Sequence, residues 1–413
     1  MVDAEGGGLL AFTPLCGDAA SPATQVLWKR LERLAYPQQL EAIEADESFH
    51  SGALCRRLQT MSLAVLAVSP EVASELANLA VRVSGHVEPG AGDRPGAECD
   101  LQALALGYLG AARRVLGELE SAGDAFDMAR TLRARGTGAP WVEAEILWFE
   151  VWLRLEQHRG AAAVTLLDRI LAADAAWSAT EPRRSRPGIR AAGLAAKAWC
   201  FYHRGDVEAA ERLLEEAQRL DLSVLPELDL ASRFGLLWCA IARGRSPEAE
   251  ASLAAAATLV ARGQTENTAA RWLLRRAQAR IDVATGRLRA AEQGLREAAA
   301  ALAQEKQGTE AALAWLALAK LYLQEGGSRA RARLKRLPAK LVPAFLPEAG
   351  RKQLLALYLF TTASMRGELT VAAVTELACA IEATRQPGLT WWSEWGTVLE
   401  EEGRRLASPL AAG

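Results

Sequence analysis

Residues 199–217 read WCFYHRGDVEAAERLLEEA, and this stretch decides the fold. An aromatic-rich segment runs into Gly205-Asp206, and Ala210, Leu214 and Ala217 follow on the far side. Glycine permits the left-handed backbone that closes a helix, and small residues at helical spacing let a second helix lie close against the first. The stretch therefore predicts a helical hairpin with a sharp turn.

Working outward, the same arrangement recurs. A turn residue is followed five places later by alanine, nine places later by leucine or phenylalanine, and twelve places later by a small or aliphatic residue. Gly117 leads to Ala122, Phe126 and Ala129, and a degenerate turn at His158 leads to Ala163, Leu167 and Ile170. Gly244 leads to Ala249, Leu253 and Ala256, and Gly286 to Ala291, Leu295 and Ala298. A last turn falls at Gly326, so the successive spacings are 41, 47, 39, 42 and 40 residues. A fixed period of this size is the mark of a repeat array.

Composition agrees. A chain of 413 residues is long for one globular core, and 50% hydrophobic with 24% charged residues is ordinary for a folded protein. Ala, Leu, Arg and Glu dominate and β-branched runs are scarce, so an all-α protein is expected. The 48 basic and 50 acidic residues leave a formal net charge of −2, which directs the whole chain toward neither nucleic acid nor an anionic membrane. Asp3 and Glu5 precede a glycine run with no basic n-region, and no apolar stretch approaches the roughly 18 residues that span a bilayer. A cytoplasmic protein is expected. The six cysteines (Cys16, Cys55, Cys99, Cys200, Cys239, Cys379) lack C-x-x-C spacing and read as reduced, mostly buried thiols.

The chain divides into a flexible segment at 1–24, an N-terminal helical cap at 25–98, a repeat array at 99–346, and a C-terminal helical cap with a short tail at 347–413. In the first cap, short helices broken near Pro37 precede helices near 49–67 and 70–84, the last opened by Ser69-Pro70. Helices near 350–366 and 370–385, then Trp391, Trp392 and Trp395, form the second cap, which covers the open end of the stack. Arg329, Arg333, Arg336 and Lys340 lie at i, i+4, i+7 and i+11 but are interrupted by Pro338, and read as a solvated basic face.

The array resembles the tetratricopeptide-repeat (TPR) superfamily, as found in bacterial TPR-like solenoids of unassigned activity. That family's first-helix pattern W-x2-L-G-x2-Y is matched by Trp315, Leu318, Ala319 and Tyr322, and in part by Leu109-Gly110. The second-helix pattern is the alanine, large residue, alanine series above. The period departs from the usual 34 residues; HEAT-like arrays lie nearer 40, but the paired alanines favour TPR. The Pro- and Arg-rich loop at 181–188 would absorb part of the excess, and Arg275, Gln278 and Asp282 before Gly286 stand where apolar residues are usual. The resemblance implies a right-handed superhelical solenoid of antiparallel helix hairpins whose first helices line a concave groove.

The groove-facing residues would stand ten, six and three places before each turn residue, on one stripe of the first helix. They are Gly107, Ala111 and Arg114; Trp148, Trp152 and Leu155; Ala195, Trp199 and Tyr202; Phe234, Trp238 and Ile241; Arg276, Arg280 and Val283; and Leu316, Lys320 and Leu323. Aromatic residues and arginine supply large contact area and ionic hydrogen bonds. The expectation is an adaptor or scaffold whose groove, through Trp148, Trp152, Trp199, Tyr202, Phe234, Trp238, Arg276, Arg280 and Lys320, binds a peptide segment carrying acidic and apolar side chains. Two alternatives stay open: a regulatory sensor whose solenoid binds a small ligand or peptide and controls a transcription or defence component, and tryptophans that simply fill space between turns. No catalytic, cofactor or metal site is expected. Gly90-Ala91-Gly92 lacks the dinucleotide spacing, and His50, His86, His158 and His203 lie far apart. Glu400, Glu401 and Glu402 read as a solvated run.

Overall fold

In a computed structural model, the structure describes residues 21–66, 69–89, 94–157, 159–180, 187–220, 222, 226–262, 270–345 and 351–382. These contain helices and connecting turns and no strand. His158, the loop 181–186, Gly90 to Gly92, Cys16, Trp391, Trp392, Trp395 and Glu400 to Glu402 lie outside them. The chain forms two compact units, Met1–Gly193 and Leu194–Gly413.

The first unit opens with α1 (Pro22–Leu31), α2 (Tyr36–Ala45), α3 (Gly52–Val65) and α4 (Pro70–His86). Ser21 caps α1 by accepting from the Thr24 amide at 3.2 Å. The break expected near Pro37 is present, and Pro37 itself stands just after it. It lies in the first turn of α2, where its missing N–H has no intrahelical partner to lose, and the break falls earlier, between Leu31 and Tyr36. Leu31, Ile43, Phe49, Leu54, Leu58, Leu76 and Val83 form the core of this cap.

Next come α5 (Ala97–Val115), α6 (Leu119–Arg133), α7 (Pro140–Glu156) and α8 (Gly160–Thr180), paired α5 with α6 and α7 with α8. Gly110 of the partial family motif is where α5 and α6 come closest: a Cβ there would stand 2.9 Å from the Phe126 ring. Only glycine leaves room for that ring, so the motif glycine and the large residue of the second helix are two halves of one contact.

Helix α9 (Pro187–His203) runs across the boundary between the units. The second unit continues with α10 (Val207–Gln218), α11 (Pro226–Ala242), α12 (Ser246–Ala261), α13 (Ala270–Ala284), α14 (Leu288–Gln304) and α15 (Gly308–Glu325). The short α16 (Gly327–Leu334) and α17 (Pro338–Phe345) follow, then α18 (Arg351–Arg366) and α19 (Val371–Glu382). Helix α15 packs against α14, α16, α17 and α19, with Leu318, Tyr322, Leu341, Phe345, Phe360 and Leu377 in a shared core.

The repeat residues occupy the places that the period assigns. Gly117, Gly205, Gly244, Gly286 and Gly326 have φ of +82°, +80°, +69°, +75° and +68°, the left-handed region open to glycine. The alanines at five and the large residues at nine places beyond the turns are buried in all five hairpins. At twelve places Ala129, Ile170, Ala217, Ala256 and Ala298 are fully buried. Asp206 closes the turn after Gly205 by accepting from the Ala209 amide at 3.1 Å. The basic run is divided between α16 and α17: Arg329, Arg336 and Lys340 are exposed, whereas Arg333 pairs with Glu292 at 2.9 Å.

Candidate functional site

The stripe ten, six and three places before each turn is a row on the first helices, and the structure places its members unequally. In the first unit, Trp148 and Trp152 stand one turn apart on α7, edge to face at 5.5 Å, both buried. Leu155 is half-buried. On α5, Arg114 is buried and pairs with Glu156 of α7. Burial lifts the Glu156 carboxyl above its ordinary range, and the Arg114 charge opposes that rise.

In the second unit Tyr202, Phe234, Trp238 and Arg276 are buried, while Trp199, Arg280 and Lys320 are half-buried. Trp199 leans on the His203 ring with centroids 4.1 Å apart, and Tyr202 meets the same ring edge-on at 5.9 Å. The Trp238 indole N–H is buried with no acceptor among the described residues. Arg276 donates from Nη1 to Glu310 of α15 at 2.7 Å, and both side chains are sealed from water, at 5% and 3% exposure. A buried guanidinium without such a partner would cost several kcal/mol, so Glu310 fixes Arg276 as a structural group. The half-buried members of the row in this unit are Trp199, Arg280 and Lys320, six places before a turn glycine, and the aliphatic Ile241, Val283 and Leu323, three places before one.

Two sets of polar pairings were not read from sequence, although Arg276 and Arg333 were named there in other roles. The first is buried on first helices: Asp100 accepts from Thr137, Tyr108 donates to Glu145 and Arg276 to Glu310, across 37, 37 and 34 residues. Their signal was present, because Glu145 and Glu310 interrupt strongly apolar helices and find partners about one period away. The second is a clasp repeated in the second unit. The residue immediately after each packing alanine of α10, α12 and α14 is a glutamate, and each meets an arginine about one repeat later. Glu211 meets Arg243 at 2.9 Å and also Arg245, Glu250 meets Arg287 at 3.2 Å, and Glu292 meets Arg333 at 2.9 Å.

The geometry that decides the class is the turn glycine at positive φ followed by buried small, large and small side chains. The described residues form consecutive helical hairpins closed by such turns. No protein-family model matches the chain. No curated protein matches it either. Among solved structures it is similar to a tetratricopeptide repeat protein from Parabacteroides merdae ATCC 43184, with 16% sequence identity over 75% of this chain and 98% of that chain and a TM-score of 0.46.

Two further facts bear on chemistry. Burial, followed by the nearby Glu211 charge, pushes the Cys239 thiol well above the ordinary thiol range, which leaves it a poor nucleophile at neutral pH. Among the described residues no group of three His, Cys, Asp or Glu side chains could hold a metal ion, and no helix is long and apolar enough to cross a membrane.

Proposed function

We propose that the chain is a non-catalytic protein-interaction scaffold that holds a peptide segment of a partner protein along the first helices of its hairpins. The observation that carries this reading is the unequal burial of one row. Within the second unit Trp238 and Arg276 are sealed into the fold, whereas Trp199, Arg280 and Lys320 reach water. An aromatic face and two cations offer a partner apolar contact and ionic hydrogen bonds, the combination that dominates interface hot spots. The matching segment carries aromatic or aliphatic anchors and acidic side chains. Tyr202, Phe234, Trp238 and Arg276 support the row by packing within the second unit, and Trp148 and Trp152 are packed within the first.

The test is a selection from a displayed random-peptide library on the full chain, followed by binding of the selected peptides to a Trp199→Ala/Arg280→Ala/Lys320→Ala variant whose helicity and melting are intact. Enrichment of acidic and apolar residues, with affinity for the variant lower by about tenfold or more, supports the reading. Peptides without acidic residues, or equal binding by the variant, reject it.

A further inference from the structure

A cavity of about 230 Å³ in the first unit is lined by Arg130 and Arg133 of α6, Glu143, Ile146 and Leu147 of α7, and Arg169 of α8. None of these residues belongs to the first-helix row. Its charges are nearly matched. Arg169 pairs with Glu143 at 2.6 Å. Arg130 pairs with Glu150 at 2.6 Å and with Asp127, and Glu150 also takes Arg154 at 2.5 Å.

Arg133 stands apart. Its Nη2 donates to the Ala139 carbonyl at 3.1 Å, and its Nε is buried with no acceptor among the described residues. Four guanidiniums thus face three carboxylates, and the surplus charge and the unused donor sit on one side chain. The second oxygen of Glu150 also lacks a donor, but Glu150 is 2% exposed and does not line the cavity, so an entering group meets Arg133 instead.

We propose that this cavity receives one carboxylate on a short apolar stem, as presented by a glutamate side chain or a small free dicarboxylate. The carboxylate lies on the Arg133 guanidinium and the stem along Ile146 and Leu147, which are buried beside it. Carboxylate and guanidinium match in shape as well as charge, and one surplus cation is balanced by one anionic charge. Inorganic phosphate, tetrahedral and without an apolar stem, offers neither the flat match to the guanidinium nor the contact with Ile146 and Leu147. The volume is below the roughly 300 Å³ at which drug-sized pockets begin, which suits a single short group.

The experiment follows the Arg133 Nε–H resonance by nitrogen-edited NMR on the full chain, with calorimetry alongside. The probes are glutarate, a blocked peptide containing one glutamate, the uncharged diamide glutaramide, and inorganic phosphate. The expected result is a saturable shift of Arg133 with an acid probe, at least about tenfold weaker for glutaramide and phosphate, and a similar loss in Arg133→Gln. Binding of the peptide but not glutarate assigns the ligand to a protein side chain, and the converse assigns it to a free metabolite. Arg133→Lys, which keeps the charge and loses Nε, retains part of the affinity and covers the case where the glutamine variant unfolds. Arg219→Gln, at an exposed position on α10's C-terminal cap, binds as wild type. No saturable shift with either acid, equal binding of glutaramide or phosphate, or undiminished binding by both Arg133 variants overturns the proposal. Loss of the Trp199, Arg280 and Lys320 row leaves this binding unchanged, so the two readings fail separately.

Discussion

The first helices of residues 97–156 and those of residues 270–325 follow one period and use it differently. The polar members of α5 are matched about one period on: Asp100 with Thr137 in the turn before α7, and Tyr108 with Glu145 and Arg114 with Glu156 on α7. In α13 and α15 one buried pair, Arg276 with Glu310, does the same work, while Arg280, one turn beyond Arg276, and Lys320, further along α15, are half-buried. The repeat positions fix direction toward the same row, but the neighbour one period away decides whether a residue there becomes packing or surface. At Arg276 the neighbouring first helix carries Glu310 at the right height, and the cation is buried with it.

The strongest way to break this comparison is to remove one half of the buried pair. Arg276→Ala removes the guanidinium that Glu310 meets in the interior and is expected to lower stability by about 3–5 kcal/mol in chemical denaturation. Arg276→Met with Glu310→Leu removes both charges and is expected to be near neutral or stabilising. A small effect of the single change would mean that water reaches Glu310, and the distinction between sealed and open positions would lose its basis.

Two tryptophans at equivalent repeat positions give the next contrast. Trp238→Ala empties a site that is 1% exposed and is expected to cost about 3–5 kcal/mol, whereas half-buried Trp199→Ala is expected to cost about 1 kcal/mol. Equal losses would show that both side chains serve the core.

Smaller again is the turn. Gly205→Ala forces a Cβ into φ of +80° and is expected to cost about 1 kcal/mol by thermal melting, with the same figure for Gly244 and Gly286 if the turns are equivalent. The smallest effect belongs to the clasps. The Glu250–Arg287 pair is about half exposed on both sides, so Glu250→Gln is expected to cost less than about 1 kcal/mol, vanishing in high salt. Salt that melted the second unit well before the first would assign these clasps more weight than their exposure allows.

The fold was legible from few residues. Turn glycines and the series at five, nine and twelve places locate five hairpins because backbone geometry and close helix packing restrict residue type at those places. The boundaries of the N-terminal helices were less legible, since proline marks a first turn as readily as a break, and Pro37 does the former. The row of the candidate site could be written down residue by residue, but exposure along it could not. Arg276 and Arg280 differ by one helical turn and look alike in sequence. Glu310 stands across from Arg276, and a lone glutamate in an apolar helix becomes informative when its distance to a cation is compared with the repeat period. The clasp glutamates were missed for a related reason: Glu211, Glu250 and Glu292 stand next to packing alanines on second helices whose exposed faces carry other glutamates.

The most direct measurement of the central claim is the affinity of library-selected peptides for the full chain and for the Trp199→Ala/Arg280→Ala/Lys320→Ala variant, at matched helicity and melting temperature. The account predicts peptides rich in acidic and apolar residues that bind the variant about tenfold or more weakly. Peptides of neutral, polar composition, or acidic ones that bind both proteins alike, would contradict it.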